Sequence, residues 1–364
     1  MNVSPINRTY LLFFVHYIYI FAINEHIYLT MKETYKNIIT KAVTSVEEGT
    51  GLRLTTYVTD DKVNLFLREE NYELHFVAEV IPQVNKANLG IIKNRLEQLG
   101  ELPLLITKFA NAKTIELLKN LGINFIDAAG NVHIKVPPLY IYVKGQKITA
   151  EKNLGGKDIC LFQTAGLQII FALLCNQKLE KNPYREIAEM ANVALGTVHK
   201  TMGQLKKHGF LIDDEIHGKI LGNKNQLLKE WILGYPGLVK PKYFVGRFQL
   251  ENPEIIKTMD LNYFGAMFGG ETAATQLTNY LRPQLHTVYV GDKLGEFILR
   301  NRLKKNPNGN IIIIKKFWNF KDDNEAKNLA PVILIYTDLK TTGDPRNIET
   351  ADIIFEREIA GHFN

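Results

Sequence analysis

The side chains best suited to chemistry lie in one stretch, residues 182–211, and the chemistry they suit is recognition rather than bond making. Val198, Met202 and Leu205 recur at i, i+4 and i+7, which places them on one face of a helix over about 195–208. The opposite face and its flanks carry Thr197, His199, Lys200, Thr201, Gln204 and Lys207. Short polar groups near a helix N-terminus reach base edges in a major groove, and lysines along the helix meet phosphates. Lys200 to guanine and Gln204 to adenine would be the direct reads. Thr197 and Thr201 are expected to face the groove with them, His199 and Lys207 at the flanks. Arg185 on the preceding helix and Lys219 beyond are expected to contact phosphates.

The elements around these residues must position them. Asn182 reads as an N-cap with Pro183 at the first helical position, where a missing N–H costs nothing. Ile187, Ala188 and Met190 face inward, and residues 191–194 form a turn with Val193 plugging the core. Gly209 ends the second helix. Residues 211–221 then read as strand, tight turn at His217-Gly218-Lys219, and strand. That is a wing. The acidic run Asp213-Asp214-Glu215 has to point away from DNA or lie at the wing base. A helical hairpin inside a larger core shares the cap, period and glycine stop. The wing and the Thr/His/Lys/Gln face favour a winged helix-turn-helix.

The chain has 364 residues, 46% hydrophobic and 23% charged, with a formal net charge of +6. That is ordinary for a soluble protein of two or three domains, and basic enough to permit nucleic-acid binding without demanding it. Its two cysteines, Cys160 and Cys175, have no metal spacing and are expected to be buried, reduced thiols in a cytoplasmic protein. Residues 10–23 are apolar apart from His16, short for a membrane span of about twenty residues. One Arg8 precedes them and no small-residue cleavage site comes after, so a signal peptide fits poorly. A membrane anchor, a docking segment and an upstream extension compete. The extension is favoured, because Met31 opens a polar helix and reads as a start. No membrane partner is expected.

The fold class expected is multidomain α/β (α+β). Residues 1–30 are the extension, 31–152 an α/β domain with a mixed sheet, 157–225 the winged helix-turn-helix around an apolar helix at 163–174, and 238–364 a C-terminal α/β domain. A turn at Tyr235-Pro236-Gly237 marks the last boundary. In the first domain the order of an acid, a strand with Glu79, a helix and a strand resembles the restriction-endonuclease-like core. There a carboxylate pair and a lysine hold a metal and activate water. Here the candidates are Asp61 or Glu73 with Glu79, but Ile81 stands where the lysine belongs, so the core reads as degenerate. The turn Asp127-Ala-Ala-Gly-Asn131 is read as structural, Asp127 bonding the loop's own amides.

In the C-terminal domain, residues 331–337 read as a strand. Gly269-Gly270-Glu271 could cradle a phosphate at a helix start, but it lacks a lysine-serine pair and already carries a negative charge. A tight strand-to-helix turn is preferred. Asp338, Asp344 and Glu349 could hold a metal, but no histidine is near and Arg346 can neutralise them. Asp344 capping the last helix is preferred, and no cofactor or metal is expected.

The run Gly269-Gly270-Glu271-Thr272-Ala273-Ala274, then Leu277-Thr278, Tyr280-Leu281-Arg282-Pro283, Val288-Tyr289-Val290, Thr337-Asp338-Leu339, Gly343-Asp344-Pro345-Arg346 and Ile348-Glu349-Thr350-Ala351 resembles the AbiEi antitoxins of type IV toxin–antitoxin, phage abortive-infection systems. The winged unit departs from the compact form by lying mid-chain, after an extra domain. The resemblance implies a non-enzymatic DNA-binding repressor of its own operon. It also implies an antitoxin that counters a nucleotidyltransferase-like toxin without a stable complex. A homodimer on repeated half-sites fits this. Two rivals remain: a metal-dependent nuclease using the first domain, and a winged module that binds protein.

Overall fold

The computed structural model describes residues 35–59, 62–69, 72–147, 161–214, 218–250, 252, 255–321 and 327–363. The apolar stretch 10–23, the suggested start Met31, and Asp61, Cys160, Glu215 and His217 lie outside the described residues.

The first unit is a seven-stranded sheet whose strands run in sequence order. Helix α1 (35–50) leads into an antiparallel meander of β1 (Arg53–Thr59), β2 (Lys62–Glu69) and β3 (Tyr72–Val80). Two helices, α2 (Leu89–Glu97) and α3 (Ala112–Asn120), then carry the chain over to the parallel strands β4 (Pro103–Thr107) and β5 (Phe125–Asp127). Strands β6 (Val132–Val136) and β7 (Leu139–Val143) close the sheet antiparallel. The side-chain alternation of a strand sorts its two faces. Leu104 and Ile106 of β4 pack with Ile38, Ala42 and Val46 of α1. Leu105 packs with Ile92 of α2 and Leu118 of α3. The Asp127 loop is built as expected: its carboxylate accepts from the amides of Ala110, Ala129 and Asn131 and from the Asn131 side chain.

The middle unit is organised on α4 (Thr164–Cys175), apolar on all sides and therefore buried, from Gly166 through Leu174. Cys175 at its end is half-buried rather than buried. After a 3-10 turn (Leu179–Lys181) come α5 (Tyr184–Met190), α6 (Leu195–Lys207) and the two-stranded sheet of β8 (Leu211–Asp214) and β9 (Gly218–Leu221). Helix α7 (Lys224–Gly234) comes next. The turn expected at Tyr235-Pro236-Gly237 is instead a π-helical turn (Tyr235–Val239) running into α8 (Lys240–Tyr243), with Tyr235 fully buried. Among the described residues, no linker separates the winged unit from the C-terminal unit. Buried residues between Leu161 and Ile359 form one continuous core.

The C-terminal unit continues with β10 (Phe244–Gln249), α9 (Ile255–Thr258), α10 (Leu261–Phe264), β11 (Met267–Gly269), α11 (Gly270–Thr278), β12 (His286–Val290), α12 (Leu294–Arg300), β13 (Lys304–Lys305) and β14 (Ile311–Lys315). Its sheet runs β11-β12-β14-β10-β13, with β12 and β14 parallel. Helices α13 (Val332–Lys340) and α14 (Pro345–Ile354) complete it with a π-helical turn (Phe355–Ile359) and α15 (Ala360–Phe363). Residues 331–337, expected as a strand, belong to α13. An apolar run of that length suits a buried strand or a buried helix equally, and only its neighbours decide. Ile333 through Leu339 are buried on every side, among α4, α11 and α14.

The Gly269-Gly270-Glu271 turn is a packing device, as preferred from sequence. A side chain at Gly269 would overlap the ring of buried Tyr289, and Gly270 adopts φ +49°. The Glu271 carboxylate accepts from the amides of Gln284 and Leu285 and from the Asn347 side chain. Asp338 accepts from Lys240 Nζ (2.9 Å) and from the hydroxyls of Tyr289 (2.6 Å) and Tyr235 (3.3 Å). Asp344 caps α14, its carboxylate accepting from the Arg346 amide. Among the described residues, no cluster of His, Cys, Asp and Glu could hold a metal, and no helix is long and apolar enough to cross a membrane.

This packing has two testable outcomes. Gly269→Ala forces its methyl into the Tyr289 ring and should destabilise the fold by about 1–3 kcal/mol, the usual cost of overpacking, in urea denaturation. His286 bonds Thr272 Oγ1 through Nδ1, and burial pushes its imidazole pKa below the usual value, against a weaker upward pull from Glu271. A depressed folded pKa gives stability that is present above the unfolded value, about 6.5, and lost as pH falls through the folded one. The urea midpoint should therefore drop on acidification below about pH 6.5, and His286→Gln should flatten that drop.

Candidate nucleic-acid interface

The helix pair forms for local reasons, with one shift from expectation. The cap of α5 is Pro183, not Asn182: the Pro183 carbonyl accepts from the amides of Glu186 (2.9 Å) and Ile187 (3.3 Å). Asn182 instead closes the preceding 3-10 turn, its N–H on the Leu179 carbonyl. Asn192 takes the left-handed conformation in the turn, and half-buried Val193 packs on the core. Helix α6 ends as expected. Gly209 sits at φ +75°, and the amides of Gly209 and Phe210 bond the carbonyls of Lys206 and Leu205.

Val198, Met202 and Leu205 are buried, so the face expected to hold α6 down does so. Arg185, His199, Lys200 and Lys207 are exposed, and Thr197 and Lys219 are half-buried. Two expected groove contacts do not stand. Thr201 is 0% exposed and its hydroxyl has no hydrogen-bond partner among the described residues. It lies three residues after Val198 and four before Leu205, inside the apolar stripe. Gln204 is half-buried with its Oε1 enclosed by protein. A bidentate read of adenine needs that oxygen as well as the amide nitrogen, so this geometry does not present it.

Tyr184, which carries no signal in the sequence pattern, joins α5, α6 and β9. Its ring meets the His199 ring edge-on at 4.8 Å, and Lys219 Nζ of the wing lies 4.3 Å from its centroid. The first residue of α5 thus sets the spacing between α6 and β9. An aromatic just after a proline has no periodicity that would mark it. Of the acidic run, Asp213 and Asp214 are among the described residues. Asp213 pairs with Lys206 of α6 at 2.5 Å, which raises the lysine's pKa, and Asp214 is buried at the wing base.

The helix pair is anchored to the core by side-chain hydrogen bonds. Gln168, the one amide in the apolar interior of α4, donates to the carbonyls of Ala191 in the turn and of Phe317 beyond β14, and accepts from the Tyr243 hydroxyl. Asn319 donates through its backbone and side chain to the carbonyls of Met190 and Glu189 at the end of α5.

The nuclease candidates are disposed differently. Glu79 is paired with Arg95 of α2, and burial pushes its carboxyl pKa up against that arginine's pull. Glu73 pairs with Arg68 across the neighbouring strand. Six residues along one strand separate Glu73 from Glu79 by roughly 20 Å, too far to share a metal. Ile81, in the lysine's place, is buried.

Residues 219–360 match the family described as transcriptional regulator, AbiEi antitoxin, of type IV toxin–antitoxin systems. The AbiEi match starts in β9, takes in α7, the C-terminal sheet, α13 and α14, and ends at the first residue of α15. It leaves out α5, α6 and the first unit, so the DNA-facing reading rests on the geometry of α6 and the wing. No curated protein and no solved structure matches the chain.

The burial of Thr201 can be checked directly. Thr201→Val keeps the shape and removes an unpaired buried hydroxyl, so stability should rise by about 1 kcal/mol and duplex affinity should not change. A loss of DNA affinity in that variant would return Thr201 to the groove.

Proposed function

We propose that this protein is a duplex-DNA-binding repressor of its own operon and the antitoxin of a type IV system, countering a nucleotidyltransferase-like toxin without a stable complex. The reading is carried by one observation: exposed Arg185, His199 and Lys200 lie on a helix pair that Tyr184 ties to Lys219 of β9, on a unit whose core continues into the AbiEi-matching segment. Lys200 on the outer face of α6 is the direct base contact, with Thr197 beside it near the helix start. Lys207, Arg185 and Lys219 meet phosphates. Ala194 supplies no capping side chain, so the amides of Leu195 and Gly196 are the ones offered to a phosphate, that of Thr197 being bonded to the Ala194 carbonyl. We place the protein in the cytoplasm, in phage defence, and bound as a homodimer to repeated half-sites. We assign no enzymatic role to the first unit, since Arg95 holds Glu79 and Ile81 offers no cation.

Gel-shift titration of the full chain on the duplex upstream of its gene tests this, with a scrambled duplex, two salt concentrations and a magnesium series. Specific binding that weakens with salt is expected. Lys200→Ala should cost about tenfold on the upstream duplex, the scale of one base contact. Lys207→Ala should weaken binding to both duplexes alike. Equal affinity for the two duplexes would sink autorepression, and cleavage in magnesium would favour the nuclease reading. Failure of co-expression to relieve toxin-induced growth arrest would separately remove the antitoxin role.

A further inference from the structure

The first unit carries a cavity of about 550 Å³ that neither the AbiEi-matching segment nor α6 reaches, lined by Lys119, Asn120, Gly122, His133, Lys135 and Tyr140. Strand alternation builds it. On β6, Val132, Ile134 and Val136 point into the core under α1, so His133 and Lys135 point to the other face. Their register partners on β7 are Tyr142 and Tyr140, which share that face. The last turn of α3 and Gly122 form the opposite wall. The carbonyls of Lys119 and Leu118, which would face an anion unfavourably, are already bonded to the amides of Gly122 and Ile123.

The lining contains two lysines, a histidine and no carboxylate. Glu116 on α3 is held by Lys144 Nζ at 3.0 Å and by the Tyr142 hydroxyl at 2.9 Å. The Tyr142 ring is covered by Lys119, whose Nζ lies 4.3 Å from its centroid. Tyr140 is different: 57% of it is exposed, and it meets His133 only edge-on, at 6.1 Å, so a face remains open for stacking. His133 is 2% exposed, and its Nδ1 sits 3.2 Å from the Ile123 carbonyl, which can only accept. The proton is therefore on Nδ1, and Nε2 is the polar atom the ring can offer.

We propose that this cavity binds a nucleoside phosphate. Tyr140 stacks the base, Lys119 and Lys135 hold the phosphate, and His133 Nε2 with the Asn120 carboxamide meets the hydroxyl and amino groups of the sugar or base. An aromatic platform beside paired lysines is the arrangement that takes nucleotides without duplex geometry. The ligand chemistry is the same whether the nucleotide is free or part of a single strand.

The test uses the full chain and two probes, a fluorescent N-methylanthraniloyl-ATP and a fluorescein-labelled oligothymidylate, monitored by anisotropy. Saturable binding of either is expected. The first probe alone would identify a free nucleotide, and the second a strand. Tyr140→Ala and Lys135→Glu should each weaken binding about tenfold, and Tyr140→Phe should restore it. Both positions are exposed, so thermal midpoints should match the unaltered protein. Lys200→Ala, on α6, should leave both probes bound, which separates this site from the duplex-binding reading. Failure of both probes to bind, or unchanged binding in Tyr140→Ala and Lys135→Glu, would overturn the proposal. So would strand binding that Lys200→Ala abolishes and Tyr140→Ala does not.

Discussion

The stack of Phe171 on Trp231 is the contact on which the rest of this structure depends. The two rings lie 4.8 Å apart and nearly parallel, one from α4 at the centre of the winged unit, the other from α7. Phe317, Trp318 and Phe320 close around Phe171 from the segment after β14. Trp231 Nε1 donates to Thr337 Oγ1 of α13, so the indole is satisfied at its polar end as well as packed. Large rings at this density leave no second arrangement of comparable energy. The orientation of α6 relative to the C-terminal sheet is fixed by that packing and by the bonds from Gln168 and Asn319.

Helix α7 extends the same constraint to the first unit. Trp231 joins the central core, and Leu233 joins the core between the first sheet and α2 and α3. Glu230, between them, accepts from the Tyr35 hydroxyl at 2.7 Å and from Gln226, and burial pushes its carboxyl pKa up. Asn88 reaches the Leu233 carbonyl, and Asn85 packs against Gly237. Among the described residues, one helix thus joins the first unit, the middle unit and the C-terminal unit. The first unit is seated on the protein's main strut, close to where Arg95 has taken the carboxylate that a nuclease would need.

Much of this was legible before folding. The period of Val198, Met202 and Leu205, the stop at Gly209 and the mixed α/β character of the first unit come from local spacing, and local spacing is what they depend on. Thr201 was legible too: it stands in the apolar stripe by the same arithmetic, and its polar type drew it to the wrong face. Residues 331–337 were not legible as a helix. Their apolar run has no face, and only burial against α4, α11 and α14 chooses between helix and strand. Pro183 as a cap, and Tyr235-Pro236-Gly237 as a helical turn, were missed because proline and glycine signal a break without saying whether packing will override it.

The sequence by itself determined the helix pair, its glycine stop, the lysines and polar groups on the outer face of α6, and the AbiEi-like character of the C-terminal run. Those properties are set by residues a few positions apart, or by their order along the chain. Tertiary structure decided what Gln204 can present, that Tyr184 spans α5, α6 and the wing, that the Gly-Gly-Glu turn exists to admit Tyr289, and that His133, Lys135 and Tyr140 share a cavity with Lys119. Each of these depends on which surfaces meet when separate elements pack together. The gain from burying them belongs to the assembled core and to no segment of the chain alone.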